Sequence, residues 1–298
     1  MTKLKYKFTY DTLCKMLFVR SPVMLKRLIA AILGISPNSI SEFTITNPEI
    51  TPELIESKFC RLDINMVVNG RRANLEVQVS NEGDYPERTL YNWARLYSSA
   101  LKAGNKYISL PQVIIISIVD FKMFKCAEFH SKFQVLETTR HELLSNRLEM
   151  HYFEVRKLPE NIDINNDIEL ILSLFRAKTE EDLNRLEALE VPLVKQAIGA
   201  YREITVSPEF LELERIRADA LHNEASALAN AERKATRRAT RKATKEATMK
   251  ADAKWQVVVA DKDAELADKD AELADKDAEL AGKDARIAEL EALVRKNS

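Results

Sequence analysis

Glycine and proline are scarce, 6 and 9 in 298 residues. That excludes a collagen-like or linker-dominated architecture and leaves few positions at which a helix is broken. Cys14, Cys60 and Cys126 are widely separated, odd in number and without C-x-x-C spacing. They support neither a disulfide framework nor a zinc site and read as ordinary thiols of a reducing compartment. Long apolar runs are missing as well. The longest, VIIISIV from Val113 to Val119, is far short of a membrane span, and the N-terminus MTKLKYKFTYD lacks the apolar stretch of a secretory signal. A soluble, cytoplasmic chain with no membrane partner is therefore expected. No glycine-rich phosphate loop is present, so ATP dependence is not indicated. His130, His141, His151 and His222 show no ligand spacing or triad partners, and no role is assigned to them.

What is present is a globular, helix-leaning composition, 46% hydrophobic and 31% charged, with a net charge of −1 that by itself names no anionic partner. Pro22 and Gly34 bracket an amphipathic helix. Phe43 to Ile45 reads as a short strand, Arg61 to Val68 and Arg72 to Ser80 as a hairpin, and Pro86 to Ala103 as a helix. Val113 to Val119 suits a central strand covered on both faces, and Met150 to Val155 is a further strand. The pattern predicts an α/β fold, one small mixed sheet flanked by helices. Residues 1–158 form this core, 159–222 a helical region, and 223–298 a low-complexity helical tail.

The tail contains two repeats. ERKATRRATRKATKEATMKADAK repeats Ala-Thr every four residues, and DKDAELA then recurs as a heptad. Leu266, Leu273, Leu280 and Ile287 supply a single large apolar residue per heptad, which predicts weak or conditional self-association rather than a robust coiled coil. Charge segregates: residues Glu232 to Lys254 carry +6, and Asp261 to Glu291 carry −7. Such blocks suit a solvated helix, pairing between chains, or a basic stretch that holds a nucleic acid backbone.

The hairpin carries the chemistry. Asn69-Gly70 between alternating runs signals a type I′ turn. Counting outward pairs Val68 with Arg71, sets Asp63 opposite Glu76 and Arg61 opposite Gln78. Leu62, Ile64, Met66 and Val68 then share an apolar face with Ala73, Leu75, Val77 and Val79. The opposite face gathers Arg61, Asp63, Asn65, Asn74, Glu76, Gln78 and Ser80. Two directly opposed carboxylates repel unless a cation or a proton sits between them. Oxygen-only ligands favour Mg²⁺ or Mn²⁺, an ion suited to phosphodiester hydrolysis. The competing interpretation is a solvent-facing strand face on which Arg61 and Arg72 neutralise the acids.

YDTLCKMLF, LDINMVVNGRRANLEVQVS and YPERTLYNWARLYSSAL resemble the Rpn family of recombination-promoting nucleases, a branch of the PD-(D/E)XK nuclease superfamily also described as transposases. The similarity spans roughly residues 6–220 and is most specific from Asp63 to Tyr97. It implies a restriction-endonuclease-like core and a metal-dependent DNA endonuclease linked to recombination and mobile elements. Asp63 and Glu76 would hold Mg²⁺, or Mn²⁺, and Gln78 stands where the superfamily more often has lysine. Glutamine can orient a water or a phosphate oxygen but brings no positive charge. Arg88, Tyr91 or Asn92, and Arg95 recur on one face of the following helix and could meet phosphates, the alternative being an exposed helix face. Asp11 and Lys15, one helical turn apart, match the family's N-terminal motif, which adds Lys15 to the expected DNA contacts, and an exposed ion pair explains them equally. An inactive nuclease fold that binds DNA and assembles through its tail is the competing function.

Overall fold

A computed structural model describes residues 2–47, 49, 63–81 and 83–296. Cys60, Arg61 and Leu62 lie outside the described residues. The chain divides into two compact units, 1–222 and 223–298.

In the first unit, α1 (Asp11–Arg20) leads into α2 (Pro22–Leu33). Proline opens α2, and Gly34 closes it in the left-handed conformation at φ 66°, where a side chain would be strained. Strands β1 (Phe43–Ile45), β2 (Ile64–Val68) and β3 (Arg71–Gln78) follow. Next come α3 (Tyr85–Ser98), β4 (Val113–Val119), β5 (His130–Leu136) and β6 (Leu143–Glu154). Helices α4 (Asp167–Arg176), α5 (Glu180–Glu187) and α6 (Pro192–Val206) precede α7 (Pro208–Lys296).

The sheet runs β1-β2-β3-β4-β6-β5. Antiparallel pairing joins β1 to β2 and β2 to β3, whereas β3, β4 and β6 are mutually parallel and β5 runs antiparallel to β6. The α/β reading with flanking helices is thus the fold observed. Strand β5 was not anticipated, and β6 starts earlier than the expected Met150. Both differences arise at the sheet edge, where β5 consists of exposed and half-buried residues and lacks a continuous apolar signal.

Asn69 and Gly70 adopt φ 46° and 73°, as a type I′ turn requires. The turn is clamped from β1's side. Asn69 Oδ1 accepts from the Ser41 and Glu42 N–H groups at 3.0 Å, and Gly70 N donates to Glu42 Oε2 at 2.8 Å.

Each sheet face has its own core. Ile64, Met66, Val68, Ala73 and Leu75 pack with α1, α2, α4 and α6 in the larger cluster. On the other face Val113, Ile115, Val119, Met150 and Tyr152 pack with Tyr85, Trp93 and Leu96 of α3. Strand β4 is buried along its whole length, which explains a sequence that is β-branched but for Ser117. The hairpin's polar face is therefore not solvent-facing: Asn74 and Glu76 are buried. Arg72 does not neutralise the acids either. Its Nη1 donates to Leu96 O at 3.3 Å and Ser99 Oγ at 3.1 Å, placing a cation at the C-terminal end of α3, where the helix dipole favours one.

In the second unit the described residues continue as helix. The threonines of the Ala-Thr repeat bond back one turn, Thr240, Thr244 and Thr248 each donating at 3.0 Å to the carbonyl four residues earlier. Lys276–Glu272 and Lys283–Glu279 pairs, 3.1 and 2.7 Å, follow along the acidic segment. Among the described residues no helix is long and apolar enough to cross a membrane.

Candidate active site

The ladder from Val68–Arg71 to Ile64–Leu75 keeps the register counted from the turn. Glu76 falls in β3, one residue past the last pair with β2, and Asp63 immediately precedes β2. Both line one pocket, together with Gln78 and with Asp11 and Cys14 of α1.

Each acid is positioned by neighbouring donors. Asp63 Oδ2 accepts from the Asn74 side-chain amide, a short contact, and from Asn65 Nδ2 at 3.4 Å. Asn47 fixes the backbone there: its Nδ2 donates to Asp63 O at 2.9 Å and its Oδ1 accepts from Asn65 N at 2.7 Å. Glu76 pairs across the sheet with Ser117 of β4 and takes a hydrogen bond of 2.8 Å from Arg88. A buried carboxylate needs such a partner, because desolvation alone would disfavour its charge.

Arg88 is the residue whose position changes the reading most. Its helix face was expected to meet phosphates, the alternative being an exposed face; its side chain is only 11% exposed, which excludes that alternative for Arg88. Arg88 Nη2 donates to Glu76 Oε1 and to Gln78 Oε1, both at 2.8 Å, and the guanidinium lies 4.7 Å from the centre of the buried Tyr85 ring. A residue on the first turns of α3 points at the sheet because that helix covers β3 and β4, which helical spacing alone does not reveal. Burial, followed by the Glu76 charge, pushes the Tyr85 hydroxyl far above its ordinary range. Gln78 is engaged at both ends, its Nε2 donating to Ser80 O at 3.0 Å. Tyr91 and Arg95 are exposed, and Asn92 is half-buried.

Helix α1 also departs from expectation. Lys15 is 1% exposed, which rules out an exposed ion pair with Asp11. Asp11 instead accepts from Arg217 Nη2 at 2.9 Å, and Arg217 lies over the Tyr10 ring at 4.9 Å. Burial, then the nearby Asp11 charge, pushes the Cys14 thiol well up, so it stays protonated at neutral pH.

Two of the histidines do meet. His130 Nε2 and His151 Nδ1 are 2.9 Å apart, and His151 Nε2 is 2.7 Å from Glu149 Oε1. Lys132 also reaches that oxygen at 2.9 Å, while Gln112 donates to Glu149 Oε2 at 3.1 Å. The hydrogen bond from His151 is the main influence drawing Glu149 down to about 2, and burial is the main one drawing His130 down to about 4. The signal was the period-two spacing of His130 with Lys132 and of Glu149 with His151, visible once β5 and β6 are recognised as paired strands.

The pocket's paired acids are hard oxygen donors, a set that fits Mg²⁺ or Mn²⁺ rather than zinc. Among the described residues no cluster of three His, Cys, Asp or Glu side chains is assembled for a metal. Two carboxylates still suffice for Mg²⁺, which commonly keeps water and takes substrate phosphates as its other ligands. Among known families the chain matches the PD-(D/E)XK nuclease family transposase model over residues 11–231. No curated protein and no solved structure matches the chain.

Proposed function

As the chain belongs to the PD-(D/E)XK nuclease family transposases, we propose that it is a divalent-metal-dependent DNA endonuclease acting in recombination or element mobility. The observation that carries this reading is the convergence of Asp63 and Glu76 on one pocket at the end of the hairpin. Asp63 and Glu76 would hold the ion, Mg²⁺ or Mn²⁺, which supplies Lewis acidity at the scissile phosphate.

The surrounding residues set up those acids. Asn74 and Asn65 donate to Asp63, orienting its carboxylate. Arg88 pairs with the buried Glu76 and brings the positive charge that Gln78 lacks. Gln78, bonded at both ends, keeps Arg88 against the carboxylate. Tyr91 and Arg95, exposed on α3, would meet DNA, arginine through phosphate and tyrosine by stacking. Buried Lys15 is withdrawn from that surface, so a direct phosphate contact is not part of the proposal.

Conversion of supercoiled plasmid in Mg²⁺ tests this, with wild type compared against Asp63→Asn and Glu76→Gln. Loss of nicking in both variants, with DNA binding retained, is the expected result. Equal cleavage by all three proteins would remove the site.

A second reading, a nuclease fold that binds DNA and assembles without cutting it, is favoured by one observation. The Arg88 guanidinium already neutralises Glu76, as a purely structural pair would. Wild type that binds duplex DNA but leaves it intact with Mg²⁺ or Mn²⁺ would select that reading.

A further inference from the structure

Among the described residues, the second unit carries an exposed apolar series with opposite charge on either side of its midpoint. Trp255, Val257, Val258 and Val259 sit at the junction between the +6 and −7 segments, 49 to 68% exposed. Beyond it Leu266, Leu273, Leu280 and Ile287 continue the heptad from Val259, each more than half exposed. Before it Met249 and Leu228, both exposed, fall on a second seven-residue series that also contains Ala235 and Lys242.

We propose that two copies of this tail pair antiparallel about a two-fold axis between Val257 and Val258, each basic segment lying on the partner's acidic one. A parallel pair would set like charge blocks side by side, +6 on +6 and −7 on −7, whereas the antiparallel pair matches them. The axis also fixes a register. It opposes Met249 to Leu266, Leu228 to Ile287 and Ala235 to Leu280. The intervening seam positions oppose Arg238 to Asp277 and Lys245 to Asp270, and the Lys242 stem lies against Leu273. Asp252 meets Asp263 and Glu224 meets Glu291, like-charge layers that hold the affinity down. Salt weakens the pair, because the attraction rests on exposed charges.

Oxidative cross-linking of the full chain, with Cys60 and Cys126 changed to serine, tests the arrangement. Met249→Cys with Leu266→Cys in one chain gives a covalent dimer, while either single variant gives none. The two sites lie about 25 Å apart along one helix, too far for a bridge within a chain. Homotypic cross-linking by each single variant would show a parallel pair and overturn the proposal. So would the absence of any cross-link together with sedimentation at the single-chain mass of 34.0 kDa. Arg238→Asp with Lys245→Asp weakens self-association about tenfold or more, and adding Asp270→Lys and Asp277→Arg restores it. Failure of that rescue would refute the register. A chain monomeric alone whose basic segment is covered only when duplex DNA is added would assign the surface to nucleic acid instead.

Discussion

In the hairpin every second residue is apolar, and in the DKDAELA tail every seventh is leucine. The hairpin's apolar set, Ile64, Met66, Val68, Ala73 and Leu75, is buried under helices of the same unit. The tail's set, Leu266, Leu273 and Leu280, stays exposed. Both patterns are equally regular; what separates them is whether the covering surface lies in the same unit. The hairpin's polar face sharpens the contrast, because Arg88 of α3 reaches the buried Glu76 there and Asn74 donates to the half-buried Asp63. Charges in the tail meet no such requirement, and their ion pairs are exposed and individually weak.

The comparison breaks first at the buried acids. Glu76→Gln lowers the plasmid cleavage rate about a thousandfold, roughly 4 kcal/mol of transition-state stabilisation, in a single-turnover assay. An exposed acid of the tail such as Glu272→Gln leaves that rate unchanged. Next in size is the apolar pair. Leu75→Ala costs about 3 kcal/mol of unfolding free energy in urea titration, because it empties a packed site. Leu273→Ala leaves that curve where it was and lowers only self-association.

Smaller effects follow from surface and titrating groups. Arg95→Ala reduces the salt slope of DNA binding by about one without changing metal affinity. Acidification destabilises the first unit in two stages. His130 is drawn down to about 4 in the folded state, so the unfolded chain binds the extra proton and stability falls as pH drops from 6.5 towards 4. Glu149 is drawn down to about 2, so its contribution is present above 4.5 and is lost as pH falls towards 2. His130→Gln flattens the first stage in pH-dependent melting while leaving the second. His151, Lys132 and Glu149, which surround His130, remain in that variant.

Much of this was legible because turn chemistry and periodicity are local. Asn69-Gly70 fixes the hairpin register, and the register brings Asp63 and Glu76 to one end of it. Seven β-branched-rich residues predict β4 from end to end. Arg88 was left open between a phosphate contact and an exposed face because helical spacing gives a face but not what the face covers; packing of α3 on the sheet decided that. The exposed ion pair offered for Lys15 fails for the same reason, since α1 buries most of its circumference. The His130–His151–Glu149 chain depends on β5, an edge strand whose half-exposed residues weaken the pattern from which strands are read.

Binding of Mn²⁺ to the full chain, followed by electron paramagnetic resonance, tests the site most directly. A bound ion that is lost in both Asp63→Asn and Glu76→Gln, with melting of the first unit unchanged, is the result this account predicts. Mn²⁺ binding of equal strength in wild type and both variants would contradict it.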